Sequence, residues 1–123
     1  MLSPTEFQIG QTPIVFLVLK DKETGNLIAK SSVTAIKYTL YNEDSGNRTA
    51  VAGHNNVDVS LNTYYDVLQT SGLCSITGGF NFKLNPDSNT DLFFPKSGLY
   101  RLMVTFTITG HNPQTESIQF MVI

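Results

Sequence analysis

The chain has 123 residues, 41% of them hydrophobic and only 15% charged, with a formal net charge of −2. That length supports one domain with a core of its own, expected to span residues 1–123, and the composition argues against disorder. Eight basic residues scattered among ten acidic ones leave no phosphate-binding footprint, so no nucleic-acid partner is expected, and the single cysteine, Cys74, excludes an internal disulfide.

The opening MLSPTEFQIG has neither a positive segment nor a long apolar one, so it does not read as a signal peptide. Phe7 and Ile9 alternate with Glu6 and Gln8 up to Gly10. The longest apolar run, Ile14 to Leu19, is far short of the ~20 residues a membrane helix needs, so no membrane partner is expected. Being apolar on both faces, it reads as a central strand covered on both sides. A turn at 21–26 follows, then a strand over Val33 to Tyr41 with Ile36, Tyr38 and Leu40 on one face and Lys37 and Thr39 on the other. The stretch Asn42 to Asn47 is a hairpin-type turn; it runs into the sequon Asn47-Arg48-Thr49, which matters only if the protein meets a glycosylation machinery.

Val57, Val59 and Leu61 alternate next, and Tyr64 to Leu68 fits either a short strand or one helical turn. Phe80, Phe82 and Leu84 alternate with Asn81 and Lys83. The strongest period-two signal puts Tyr100, Leu102, Val104, Phe106 and Ile108 on one face, opposite Arg101, Met103, Thr105, Thr107 and Thr109. After the turn Gly110-His111-Asn112-Pro113, Ile118, Phe120 and Val122 close the chain. No window holds a 3.6-residue period, and 14 Thr, 10 Ser and 10 Asn make a strand-and-turn composition. The expected fold is all-β: an antiparallel two-sheet sandwich, immunoglobulin-like, of seven to nine strands, with a jelly roll or small barrel as the competing topology.

Little of this sequence points to chemistry. A hydrolase needs a nucleophile, a base and an orienting group, and Cys74, His54, His111 and Asp66 are the candidates. Both histidines lie in turn signals and Cys74 has no basic neighbour, so no catalytic residue and no cofactor are expected. Asp87, Asn89 and Asp91 place oxygen ligands at alternate positions, as a calcium loop does. Leu92 and Gly98 then stand where that loop needs Gly and Glu, and an Asx-rich loop capping its own backbone explains the pattern as well. The aromatic pairs Tyr64-Tyr65 and Phe93-Phe94 say more. Adjacent residues on a strand point to opposite faces, so one ring of each pair is expected to be available to a partner, unless both faces are covered within the domain.

Four stretches, Phe7-Gln8-Ile9-Gly10-Gln11-Thr12-Pro13, Ser32-Val33-Thr34-Ala35-Ile36-Lys37-Tyr38, Gly79-Phe80-Asn81-Phe82 and Phe94-Pro95-Lys96-Ser97-Gly98-Leu99-Tyr100-Arg101-Leu102, resemble short Ig-like proteins encoded in tailed-phage structural gene clusters, and related Ig-like domains on bacterial surfaces. In many such domains a Gly-x-Tyr pattern precedes a long strand, as Gly98-Leu99-Tyr100 does here. The Cys…Trp…Cys landmarks of antibody domains are absent. The resemblance implies a non-enzymatic structural protein of a virus particle, a capsid decoration or head or neck accessory. Such a protein is made in the host cytoplasm and ends in the virion, with other virion proteins and itself as partners. A carbohydrate-binding or adhesive module is the alternative, with aromatic rings and neighbouring Asn and Asp taking a sugar.

Overall fold

A computed structural model of the protein describes residues 6–44, 46–86 and 91–123. Among them are nine strands: β1 (Glu6–Phe7), β2 (Val15–Leu17), β3 (Val33–Asn42), β4 (Thr49–Ala50), β5 (Val57–Val59), β6 (Tyr64–Gln69), β7 (Phe80–Leu84), β8 (Gly98–Ile108) and β9 (Gln114–Val122). They form two sheets. The larger runs β1-β9-β8-β3-β4, with β5 on the same edge of β3 as β4; the smaller runs β2-β7-β6. All pairings are antiparallel except β1 with β9. The fold is therefore all-β and built from two mostly antiparallel sheets, as the alternation requires.

β8 is the centre of the larger sheet. Tyr100, Leu102, Val104, Phe106 and Ile108 are all buried, and they share one hydrophobic cluster with Tyr38, Leu40 and Phe120 of the same sheet and with Val15, Tyr64, Phe82 and Leu84 of the other. Phe106 meets the ring of Phe82 edge-on at 5.0 Å and that of Tyr64 at 6.2 Å, so the two sheets touch through aromatic rings. β8 opens at Gly98, whose φ of +141° needs glycine; a Cβ there would run into the Asp44 carboxylate. That carboxylate instead accepts a 2.6 Å hydrogen bond from the Leu99 N–H, which ties the turn after β3 to the start of β8.

The smaller sheet departs from expectation at β2, at Phe80 and at Asn81, and settles the 64–68 segment as one of its two expected forms. β2 is not central but lies at the sheet's edge, with β7 as its only neighbour among the described strands. Coverage of a strand's faces and pairing of its edges are independent, and here the second apolar face is satisfied by a ring contact, Phe16 with Phe80 at 4.7 Å. Phe80 thus packs on Phe16 and Tyr65 and stands apart from the main cluster that holds Phe82 and Leu84. The 64–68 segment is a strand. Between Tyr64 and Gln69 its pairing with β7 is irregular: the residues from Tyr64 to Gln69 oppose only Phe82 to Phe80, which throws Val67 and Leu68 into solvent.

Asn81, expected on a polar face, is completely buried. Its Oδ1 accepts from the Leu19 N–H at 2.7 Å, and its Nδ2 donates to the Leu19 carbonyl at 2.9 Å and to the Tyr64 hydroxyl at 3.1 Å. The side chain thus replaces a rung of the ladder where β2 has ended. Tyr64 passes the chain on, donating to the Ile28 carbonyl at 2.6 Å. Burial, and secondarily the Asp66 charge, push the Tyr64 phenol up to about 12.

This network can be tested at both of its side chains. Asn81→Leu keeps the branched shape but strands the Leu19 amide and leaves the Leu19 carbonyl only a 3.5 Å bond from the Ile28 N–H, so it should cost on the order of 2–4 kcal/mol in urea unfolding; Lys83→Ala, one pair along, should cost less than about 1 kcal/mol. The folded chain also holds the Tyr64 proton more tightly than the unfolded chain, whose phenols titrate near 10. That contribution is complete below about pH 10 and is lost as the pH rises through about 12. The urea midpoint should therefore fall more steeply over this range for the wild type than for Tyr64→Phe.

Candidate interaction surfaces

The residues expected to be the candidates for catalysis are not assembled. No hydrogen bond or ion pair joins any two of Cys74, His54, His111 and Asp66. The Asp66 carboxylate accepts the Lys30 N–H at 2.7 Å, where the chain turns into β3. Cys74 is a free, half-buried thiol in the β6–β7 connection, and His111 is exposed in the β8–β9 turn.

His54 proves to be a core residue, with no exposed surface. Its Nδ1 lies 2.7 Å from the Tyr38 hydroxyl and its Nε2 2.9 Å from the Asp91 carbonyl. A carbonyl only accepts, so Nε2 donates to Asp91, while Nδ1 and the Tyr38 hydroxyl share the second hydrogen bond. The ring also meets Phe93 edge-on at 5.0 Å. Its own backbone joins the sheet: the Leu40 N–H donates to the His54 carbonyl at 2.9 Å, between the pairings of β4 and β5 with β3. Gly53, at φ +80°, gives the Asp91 carboxylate room that a Cβ would take. His54 therefore pins the 91–94 segment to β3.

Of the calcium-loop positions, Asp87 and Asn89 lie outside the described residues. Asp91 is described, in this contact with Gly53. Among the described residues, no group of three His, Cys, Asp or Glu side chains is placed to hold a metal ion.

The aromatic pairs are corrected by burial. Tyr64, Phe93 and Phe94 are each 2% exposed or less, and only Tyr65 is half-buried. The alternation rule fails at Phe93-Phe94 because the segment before β8 is not a strand. It crosses the end of the core, where Phe94 packs on Phe7, Tyr100 and Phe120 at 5.1–5.6 Å and Phe93 turns to His54 and Tyr38. Three of the four expected contact rings therefore present no surface to a partner.

Two other surfaces stand out. One is a groove of ≈ 690 Å³ between β2 and β9, lined by Phe7, Ile14, Phe16, Ile118, Phe120 and Met121 among others, with no charged residue in its lining. The second is the outer face of the larger sheet. Register sets Lys37, Thr105 and Thr115 side by side, then Thr39, Met103 and Ser117, then Tyr41, Arg101 and Gln119. Arg48 lies over this face, its guanidinium 5.2 Å from the Tyr41 ring centroid and 3.5 Å from the Met103 sulfur. Glu43 holds Arg48 at 3.0 Å and Arg101 at 3.2 Å, and a shallow hollow of ≈ 260 Å³ lies beside Met103. The alternation in β3 and β8 already marked these residues as outward-facing; which of them stand together depends on register between strands far apart in the chain. No protein-family model, no curated protein and no solved structure matches the chain.

The two histidines should differ sharply when replaced. His54→Ala is expected to lower stability by on the order of 2 kcal/mol or more, and His111→Ala by no more than about 0.5 kcal/mol, both read from thermal or urea unfolding.

Proposed function

We propose that the chain is a non-enzymatic structural protein of a virus particle, a capsid decoration or head or neck accessory, with an immunoglobulin-like sandwich topology. The observation that carries the functional half is the broad outer face of the larger sheet: rich in hydroxyls, with Met103 in its middle and Tyr41, Arg48 and Arg101 toward one end. Tyr, Met and Arg are the residue types enriched where proteins meet. Nothing comparable favours chemistry, since Cys74, His54, His111 and Asp66 are dispersed and His54 is committed to the core.

The topological half rests on strand partition. Taken in chain order, β2, β7 and β6 in one sheet and β3, β8 and β9 in the other divide as the B, E, D and C, F, G strands of an Ig domain do. A jelly roll would divide them differently. Tyr100 adds a second mark. Near the start of β8, its hydroxyl donates back to the Lys96 carbonyl at 2.7 Å, the geometry of the tyrosine corner of Ig-type sandwiches. The sugar-binding alternative loses most of its stacking rings, since only Tyr65 of the four reaches the surface.

Antibodies or mass spectrometry should find the protein in purified particles at a fixed ratio to the capsid protein. Particles that lack it would refute the assignment.

A further inference from the structure

We propose that the outer face of the larger sheet is a self-association surface, on which a second copy of the chain packs about a two-fold axis lying in the plane of the face and running across the strands. This rests on the reading that the protein works through its surface, and it names the partner that this face takes.

The argument starts from register. Lys37 stands opposite Asp58 on one side and Thr105 on the other, and Thr105 opposite Thr115. Two residues further along β3 comes the row Thr39, Met103, Ser117, and two further the row Tyr41, Arg101, Gln119. These side chains face outward because their neighbours Tyr38, Leu40, Leu102 and Val104 are buried. The middle row carries no charge; the end rows do. Beyond Tyr41, two arginines share one carboxylate, Glu43, whose side chain is only 18% exposed. At the Lys37 end, the Asp58 side chain is 86% exposed, held by a single 3.5 Å ion pair to Lys37. An exposed pair of that kind contributes little and leaves Asp58 open to a second partner.

A two-fold axis across the strands, through the Met103 row, keeps β3 over β3 and β8 over β8 but exchanges the two end rows. Arg48 already lies over the Tyr41 ring, so the second copy's Arg48 arrives beside Lys37, and Asp58 is shared between that arginine and its own Lys37, as Glu43 is shared between Arg48 and Arg101. Thr105 meets its Arg101, and the two Met103 side chains lie next to the axis. An axis along the strands between β3 and β8, at the middle of the face, would instead set each Lys37 row against its own counterpart and place Asp58 over the second copy's Thr115, without a cation. Charge complementarity therefore selects the first arrangement, and being two-fold it forms each contact twice.

β3, β8 and β9, 10, 11 and 9 residues long, span about 33 Å along the strands and about 14 Å across them. That is on the order of 500 Å² per copy, below the ~800 Å² per partner of a standard interface, which suits a weak, reversible dimer. With charge pairs at its ends, such a dimer should weaken as salt rises.

The test is sedimentation velocity on the full chain over a wide concentration range, at low and high salt. The wild type should dimerise reversibly at low salt and less tightly at high salt. Asp58→Arg and Arg48→Asp are exposed changes, with folding checked by circular dichroism; each alone should weaken the dimer at least about tenfold. Mixed together, the two variants should recover it. In the mixed dimer the arginine introduced by the first variant meets the aspartate introduced by the second, and at the symmetry-related contact the unchanged Arg48 meets the unchanged Asp58. A chain monomeric at every concentration, single variants that dimerise like the wild type, or a mixture that stays monomeric would each overturn the proposal. Particle incorporation is scored separately: a monomer still found in particles defeats the dimer and not the virion role, whereas an intact dimer missing from particles does the reverse.

Discussion

The structure depends on β8 and its alternation. One face of that strand is apolar from Tyr100 to Ile108 and buried along its whole length, and each large apolar side chain so buried is worth roughly 1.5–3 kcal/mol. A slip of one residue would exchange that face for Arg101, Met103, Thr105 and Thr107, so the register is held by the full burial energy of the strand. β3 pairs with β8 from Val33 to Asn42, and β9 pairs with it from Gln114 to Val122. Both take their register from it. The same constraint that builds the inner core therefore orders the outer face.

Two tethers hold the irregular segments around this ladder. Tyr100 reaches back to the Lys96 backbone and fixes the chain as it enters β8. His54 joins β3, the segment between β4 and β5, and the 91–94 segment through both ring nitrogens. A third device closes the smaller sheet, where Asn81 supplies by side chain the hydrogen bonds that Leu19 would otherwise take from a strand. Among the described residues, no buried side-chain nitrogen or oxygen lacks a partner. Polar groups inside this core are committed to holding backbone in place.

What is legible in the sequence follows from which forces are local. The all-β class, β3, β8 and β9 and their inward faces follow from alternation within each strand. Asn81 cannot be recognised as buried from sequence, because its partner Leu19 is 62 positions away and a polar residue in an alternating run looks solvated. Phe93 and Phe94 depart from the alternation rule because that rule presupposes a strand, and the segment bends over the core end toward Phe7 and Phe120. His54 gives no signal beyond its turn setting, since its burial arises from Tyr38 and Asp91 closing on it from two other segments.

The sequence by itself determined that the chain forms short strands, which side chains turn inward, and that the wet faces are rich in hydroxyls and poor in charge, because side-chain direction in a strand reverses at every residue. Only the tertiary structure decided which strands are neighbours. Pairing energy is nearly the same for many strand combinations, and closure of a shared core selects among them. That choice put β2 at an edge, buried three of the four aromatic candidates, and brought Asp58, Lys37, Tyr41, Arg48, Met103 and Arg101 onto one face.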